Sequence, residues 1–375
     1  MKPGMHCLLA LLRDDCANGS DSAEYAAALA LAETEHVLPW VAACLRERRG
    51  QLSAEISTRV DEIGHDAAVT AFYWSSQLKE VLRAFDQARV RALPLKGPLL
   101  AERLYGNVAL RSIRDLDILV SKVDLPRAET VLAANDFIPG PRDDYHRPWY
   151  RRNMTLELHH DVENPLTFDF HTETALRRAM PAIFQGLPCW NLAPQDELLF
   201  LCLHAARHRY ESLSLVVDLQ IAFEKLSLAV DEWQPCAELT GLQPLLTLGL
   251  AMARRLQPNL SNPEVIAESI PSDSRLEKLA DRLWEQLLTQ PHRPVDWRSV
   301  HAFFVEIESP GWPRFRRRLR HLRILASRTI DADYLFASRF GLRRTWQVRL
   351  LRPLRLLIRR PAAVPLSPLS KGRDR

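Results

Sequence analysis

From about Ala23 to Arg91 the apolar residues recur at helical spacing, in AEYAAALALAETEHVLPWVAACLRERR and then in AAVTAFYWSSQLKEVLRAFDQARVRA. This predicts a helical N-terminal segment. The texture changes at ALPLKGP, a short apolar run broken by Gly97 and Pro98. That pattern predicts a strand turning into a helix with proline in its first turn, running to about Tyr105 and stopped by Gly106-Asn107. SIRDLDILVSK alternates polar and apolar positions, so it is predicted as a strand with Asp115 and Asp117 on one face and Leu116, Ile118 and Val120 on the other. A helix over DLPRAETVLAANDF, a polar loop and a second strand over NMTLELHHDV follow, with Thr155, Glu157 and His159 in phase on that second strand. From Pro194 the helical period returns and persists through PQDELLFLCLHAARHRYESLSLVVDLQIAFEKLSLAV, GLQPLLTLGLAMARRL and SRLEKLADRLWEQLLTQ.

The fold class is therefore α+β, a small mixed sheet flanked by helices between a helical N-terminal segment and an all-helical C-terminal domain. The expected boundaries are 1–85, 86–190 and 191–360, with 361–375 a proline-rich disordered tail. The length of 375 residues suits two or three units, and 47% hydrophobic with 26% charged residues is a globular composition. Six cysteines without a C-x-x-C pair argue against a zinc knuckle or a disulfide framework and suit a reducing compartment. The opening MKPGMHCLLALLRDDC has too short an apolar stretch for a signal-peptide core or a membrane span, so the expected location is cytoplasmic, with peripheral membrane contact left open.

Charge changes the picture at one end. Between Arg314 and Arg360 fifteen arginines face only Asp331 and Asp333, so this region carries +13 and the rest −9 in a chain of net charge +4. Its arginines interleave with leucine, isoleucine and tryptophan. A solvated helical face, an interfacial helix on anionic membrane or in a protein groove, and nucleic-acid phosphates compete for it, and the leucine content disfavours nucleic acid.

Candidate chemistry lies in the middle of the chain. Aspartates at i and i+2 on a strand share a face roughly 7 Å apart, close enough to converge on one or two Mg²⁺ (or Mn²⁺) ions, with a third carboxylate from a neighbouring strand. Phosphoryl and nucleotidyl transfer need this arrangement, since two metals about 4 Å apart orient a triphosphate and neutralise the leaving pyrophosphate. Asp115, Asp117 and Glu157 have the type and phase for catalysis and metal binding. Lys96 and Gly97 at a strand-to-helix junction offer a phosphate a cation, helix N-terminal amides and close backbone approach. Arg111 and Arg114 could clamp phosphates or end in salt bridges, and Glu157 could pair with either of them instead of a metal. His159 is in phase to reach the site or an acceptor substrate. His204 and His208, at i and i+4, lack the glutamate of an H-E-x-x-H zinc motif, so packing with hydrogen bonds to Asp218 or Tyr210 competes with acceptor contact.

The segments LPLKGPLLAERLYGNVALRSIRDLDILV, LELHHDV and LLFLCLHAARHRYESLSLVVDL resemble the nucleotidyltransferases of the polymerase-beta-like superfamily, and more closely a bacterial branch with a K-G turn. The resemblance covers roughly residues 80 to 225. It implies a small mixed sheet flanked by helices, a nucleoside triphosphate as donor, and Asp115, Asp117 and Glu157 as metal ligands. The superfamily's usual turn is glycine followed by serine; here Pro98 follows Gly97 and Lys96 precedes it, and Lys96 is the candidate to take over the serine's phosphate contact. The expected function is transfer of a nucleoside monophosphate from a metal-bound triphosphate to an unidentified hydroxyl of a small molecule, sugar, peptide or protein. The alternatives are a catalytically silent nucleotide-binding scaffold or sensor and, without a recognisable RNA-binding module, an RNA-directed transferase.

Overall fold

The computed structural model describes residues 2–13, 21–143, 145–163, 167–226, 230–260, 273–290, 297–327, 331–342 and 344–358; the expected tail at 361–375 lies outside them. The chain opens with α1 (Met5–Leu12), α2 (Ser22–Thr34), α3 (Leu38–Glu47) and the long α4 (Ala54–Gln87). Asp21 and Ser53 cap α2 and α4 by accepting from the backbone N–H groups of Glu24 and Ile56.

Then comes β1 (Ala92–Pro94), and α5 (Gly97–Leu100), which continues as a π-helical turn over Ala101–Tyr105. Gly106 at φ +77° ends it in the left-handed region, as its sequence position predicts. The next elements are β2 (Leu116–Val120), α6 (Leu125–Ala134), β3 (Ile138–Pro139), β4 (His146–Arg151) and β5 (Met154–His159). The five strands form one mixed sheet in the order β1-β2-β5-β4-β3. Only β2 and β5 pair in parallel, and their register sets Asp117 opposite Glu157 and Leu119 opposite His159.

Residues 145–151, read from the sequence as a polar loop, instead include β4, which pairs antiparallel with β5 along six positions. HRPWYR hides this because Pro148 and three basic or imidazole side chains break any alternation. Pro148 is tolerated because β4 has a full partner on one side only, its other edge meeting the two-residue β3. After α7 (Thr172–Arg178), β6 (Met180–Phe184) and β7 (Leu187–Asn191) make a separate hairpin that the sequence pattern did not suggest.

The described remainder is helical: α8 (Pro194–Arg207), α9 (Leu213–Lys225), α10 (Val230–Thr240), α11 (Gln243–Leu256), α12 (Ser274–Thr289), α13 (Trp297–Ile307), α14 (Trp312–Ser327), α15 (Asp331–Ser338) and α16 (Thr345–Ile358). Proline in the first turn and the acids Asp196 and Glu197 favour the start of α8. Both acids are buried and each is held by a guanidinium, Asp196 by Arg178 and Glu197 by Arg103. Among the described residues no helix is long and apolar enough to cross a membrane.

Strand alternation divides the apolar side chains between two cores. Leu116, Ile118 and Val120 of β2 and Leu156 and Leu158 of β5 pack with Leu78, Leu82 and Phe85 of α4. On the other face Leu93, Leu95 and Leu119 join a larger core with α1–α3, α8, α9 and α11. The second face also carries Asp117, Glu157 and His159. The carboxylates thus look toward helices drawn from both ends of the chain. α4 serves both cores, Ile56, Val60 and Ile63 lying in one and Trp74 to Phe85 in the other.

Leu158 is fully buried on a strand paired on both sides. Leu158→Ala is expected to destabilise the protein by about 2–5 kcal/mol in urea unfolding, and Ile138→Ala at the exposed sheet edge by less than about 0.5 kcal/mol.

Candidate active site

The turn after β1 is the first component. Gly97 takes φ +71°, a conformation that non-glycine residues avoid, with its Cα side toward the Asp115 carbonyl and Leu116. This reverses the chain so that Lys96, only 9% exposed, points along the sheet face. Lys96 Nζ lies 3.0 Å from Asp117 Oδ2 and 3.4 Å from His204 Nε2.

Asp117, 2% exposed, is the electrostatic centre. Burial alone disfavours its charge, but Lys96 and a hydrogen bond from His159 outweigh burial and hold the carboxyl well below the usual carboxylate range. His159 Nε2 lies 3.2 Å from Asp117 Oδ1 and 3.4 Å from Glu157 Oε2. Burial works against the imidazolium, yet these two carboxylates raise its pKa above the ordinary histidine value. Glu157 is half-buried; burial pushes its carboxyl up, and the His159 hydrogen bond together with the charges of His159 and His146 leaves it lowered. Asp115, just before β2, goes the other way: burial first and then the charge of Asp117 push its carboxyl up.

Asp117, Glu157 and His159 each offer one ligand atom, and these atoms lie within 4.8 Å of one another. The set of two carboxylates and an imidazole, with Asp115 beside them, fits a divalent cation. Burial and then the nearby Asp117 and Glu157 charges raise the carboxyl of Asp115, and a cation among them would offset the charge part of that. His146 stacks on His159 at 5.1 Å between ring centroids and comes within 3.8 Å of Glu157. Burial and the neighbouring His159 push His146 down to about 4, so it is neutral at pH 7. His146 was missed because its strand was read as a loop.

Of these groups Asp117 and His159 are buried next to Glu157, while Asp115 and Glu157 line a cleft of about 790 Å³, together with Lys96, Arg111, Arg114, His204, Arg207 and His208. Helix α8 supplies its far wall, with His204, Arg207 and His208 on one face at i, i+3 and i+4. Arg209 and Tyr210, at φ +52° and +54°, then turn the chain sharply into α9. His204 does not bond to Asp218 or Tyr210, as its helix position suggested; it faces Lys96 and Arg207 instead. Burial and then Lys96 drive its pKa well below the ordinary value, so the ring is neutral and has a single lone pair. Lys96 Nζ and Arg207 Nη2 both lie 3.4 Å from its nitrogens. Two donors therefore converge on one acceptor, and Arg207 was not among the residues the sequence singled out.

The two arginines before β2 differ. Arg111 makes a bidentate pair with Asp218 at 2.9 and 2.8 Å, while Tyr105 donates to the same carboxylate at 2.6 Å. Arg114 is exposed, with Nη1 3.1 Å from His36 Nε2 across the cleft mouth. Neither pairs with Glu157.

Residues 21–258 match the family described as "Uncharacterised nucleotidyltransferase". The chain belongs to this family. The match spans the N-terminal helices α2–α4, the sheet and α8–α11, so the family unit contains the cleft and its helical walls. No curated protein matches the chain. Among solved structures it is similar to the antibiotic-resistance factor ANT(2'')-Ia, at 12% identity over 43% of this chain and 87% of that one, with a TM-score of 0.35. It is also similar to a tRNA-processing enzyme in an apo form, at 14% identity over 75% of this chain and 88% of that one, with a TM-score of 0.27. Neither likeness carries a substrate to this nucleotidyltransferase.

The Arg111–Asp218 pair is largely buried, with side chains 14% and 4% exposed. Asp218→Ala leaves that guanidinium uncompensated and is expected to cost about 3–5 kcal/mol. Tyr105→Phe removes one hydrogen bond to a charged group and is expected to cost about 1.5–3 kcal/mol. Denaturant unfolding of the two variants measures both.

Proposed function

We propose that the cleft binds a nucleoside triphosphate with Mg²⁺ or Mn²⁺ and transfers its nucleoside monophosphate to an acceptor hydroxyl. The observation that carries this reading is the pairing of β2 with β5, which sets Asp117 opposite Glu157 beside Asp115, at a cleft rich in cations. Asp115, Asp117 and Glu157 would hold the metal, with His159 a further donor once its ring gives up its proton; a cation there would supply charge neutralisation for the triphosphate and pyrophosphate. Lys96, paired with Asp117, and Arg207, paired with Glu163, keep further N–H donors for phosphate oxygens, which offer acceptors that neutral His204 cannot. Arg114, at the mouth, is placed to meet the outer phosphates. The acceptor oxygen bonds to the α-phosphorus, the bond to pyrophosphate breaks, and the acceptor proton passes to Glu157, which is ionised and lines the cleft. His208, at the outer end of the α8 face, and His204 border the space left for the acceptor.

One observation favours a second reading, a nucleotide-binding scaffold: Lys96 and His159 already compensate the charge of Asp117, so a cation must compete with both.

Calorimetry with MgATP and MgGTP separates these from a site elsewhere. The native protein is expected to bind in a metal-dependent manner and Asp117→Asn to lose that binding; equal binding by both, or by neither, overturns the assignment. For the transferase reading, pyrophosphate release in the presence of acceptor is expected to fall by about 10²- to 10⁴-fold in Glu157→Gln. Nucleotide binding without pyrophosphate release from the native protein, across a panel of hydroxyl acceptors, favours the scaffold.

A further inference from the structure

The C-terminal helices have a surface that the cleft does not use. Eight of the eighteen exposed large apolar side chains among the described residues fall between Trp312 and Leu354. On α14 they are Trp312, Phe315 and Leu319, at i, i+3 and i+7, with the Trp312 and Phe315 rings 5.6 Å apart. On α16 they are Trp346, Leu350 and Leu354, at i, i+4 and i+8. Each set forms a stripe on the side of its helix away from the buried face, which holds Arg317 on α14 and Val348, Arg352 and Arg355 on α16. The two helices pack against each other.

The buried arginines are structural. Arg317 pairs with Glu308, Arg352 and Arg355 converge on the buried Asp333, and Arg320 reaches Asp169. Another set is exposed: Arg316, Arg318, Arg339, Arg344 and Arg349. At 100° per residue Arg316 and Arg318 flank the α14 stripe and Arg349 borders that of α16. No exposed carboxylate accompanies them among the described side chains from 312 to 358.

We propose that α14 and α16 form an interfacial anchor for an anionic bilayer, the two apolar stripes entering the headgroup boundary and the flanking arginines meeting lipid phosphates. Charge and shape select this occupant. Tryptophan and phenylalanine beside leucine, bordered by cations, suit a surface that is apolar beneath and anionic above, and the stripes need to reach only about 5–10 Å into it. Nucleic acid matches the arginines but leaves Leu319, Leu350 and Leu354 without a partner, because leucine does not stack on bases.

Flotation of the full chain with vesicles tests this. Binding is expected to vesicles of phosphatidylcholine mixed with phosphatidylglycerol and to be weak on phosphatidylcholine alone. Each of Arg344→Ser and Arg349→Ser is expected to lower the partition coefficient by about fivefold. The double variant Trp346→Glu/Leu350→Glu is expected to lose binding while keeping the native unfolding midpoint, since both side chains are exposed; Trp312→Ser/Phe315→Ser is the parallel test on α14. Equal binding to both vesicle types, binding to neither, or unchanged binding by both double variants overturns the proposal. RNA binding that survives Trp346→Glu/Leu350→Glu, together with no vesicle binding by the native chain, overturns it in favour of nucleic acid.

Discussion

The arrangement turns on one constraint: a carboxylate, Asp117, is kept ionised at 2% exposure. An isolated charge at such a position is too costly to persist, so the fold must bring compensating groups from elsewhere in the chain. Lys96 comes from the turn before α5, and only the left-handed Gly97 lets that turn face the strand. His159 comes from the neighbouring strand, and only the parallel register of β2 and β5 brings it within reach. Moving the register by one residue would turn Glu157 and His159 into the apolar core and remove half of that compensation. The catalytic reading and the stability of the sheet therefore rest on the same pairing.

The same constraint explains why the histidines differ. His159 lies between two carboxylates and gains affinity for a proton. His146, stacked on it, and His204, beside Lys96, lose theirs. Burial and neighbours together thus give the three imidazoles distinct characters: a ring between two carboxylates with raised proton affinity, a neutral ring stacked on it, and a neutral ring facing two donors. Lys96 touches both Asp117 and His204, so it joins the acidic strand side of the site to the basic face of α8.

Local pattern carried the central unit. The strand with Asp117, the glycine turn, the stop at Gly106 and the strand with Glu157 were legible because alternation and left-handed glycines act within a few residues, although the strand begins at Leu116 and leaves Asp115 just outside it. What sequence left hidden was long-range. His146 sits on a strand whose own residues do not alternate and which exists because β5 offers an open edge. Arg207 becomes informative only when α8 lies across the sheet, and Asp218 belongs to Arg111 rather than to a histidine because α9 meets the π-helical turn at Tyr105. For the same reason the sharing of α4 between two cores was not legible: a helical period shows which face is apolar but not what covers it.

The basic C-terminal region shows how a charge count can mislead and inform at once. Taken as composition, fifteen arginines suggest one anionic partner. The structure divides the described ones. Arg317, Arg352 and Arg355 are buried against Glu308 and Asp333 and hold helices together, whereas Arg316, Arg318, Arg344 and Arg349 remain at the surface. If electrostatics alone governed the exposed face, polar residues would complete it; large apolar side chains do so instead, at the cost of leaving them in water. A surface that is both cationic and apolar is unfavourable in water on the second count, and the proposed anionic bilayer would relieve that while matching the first.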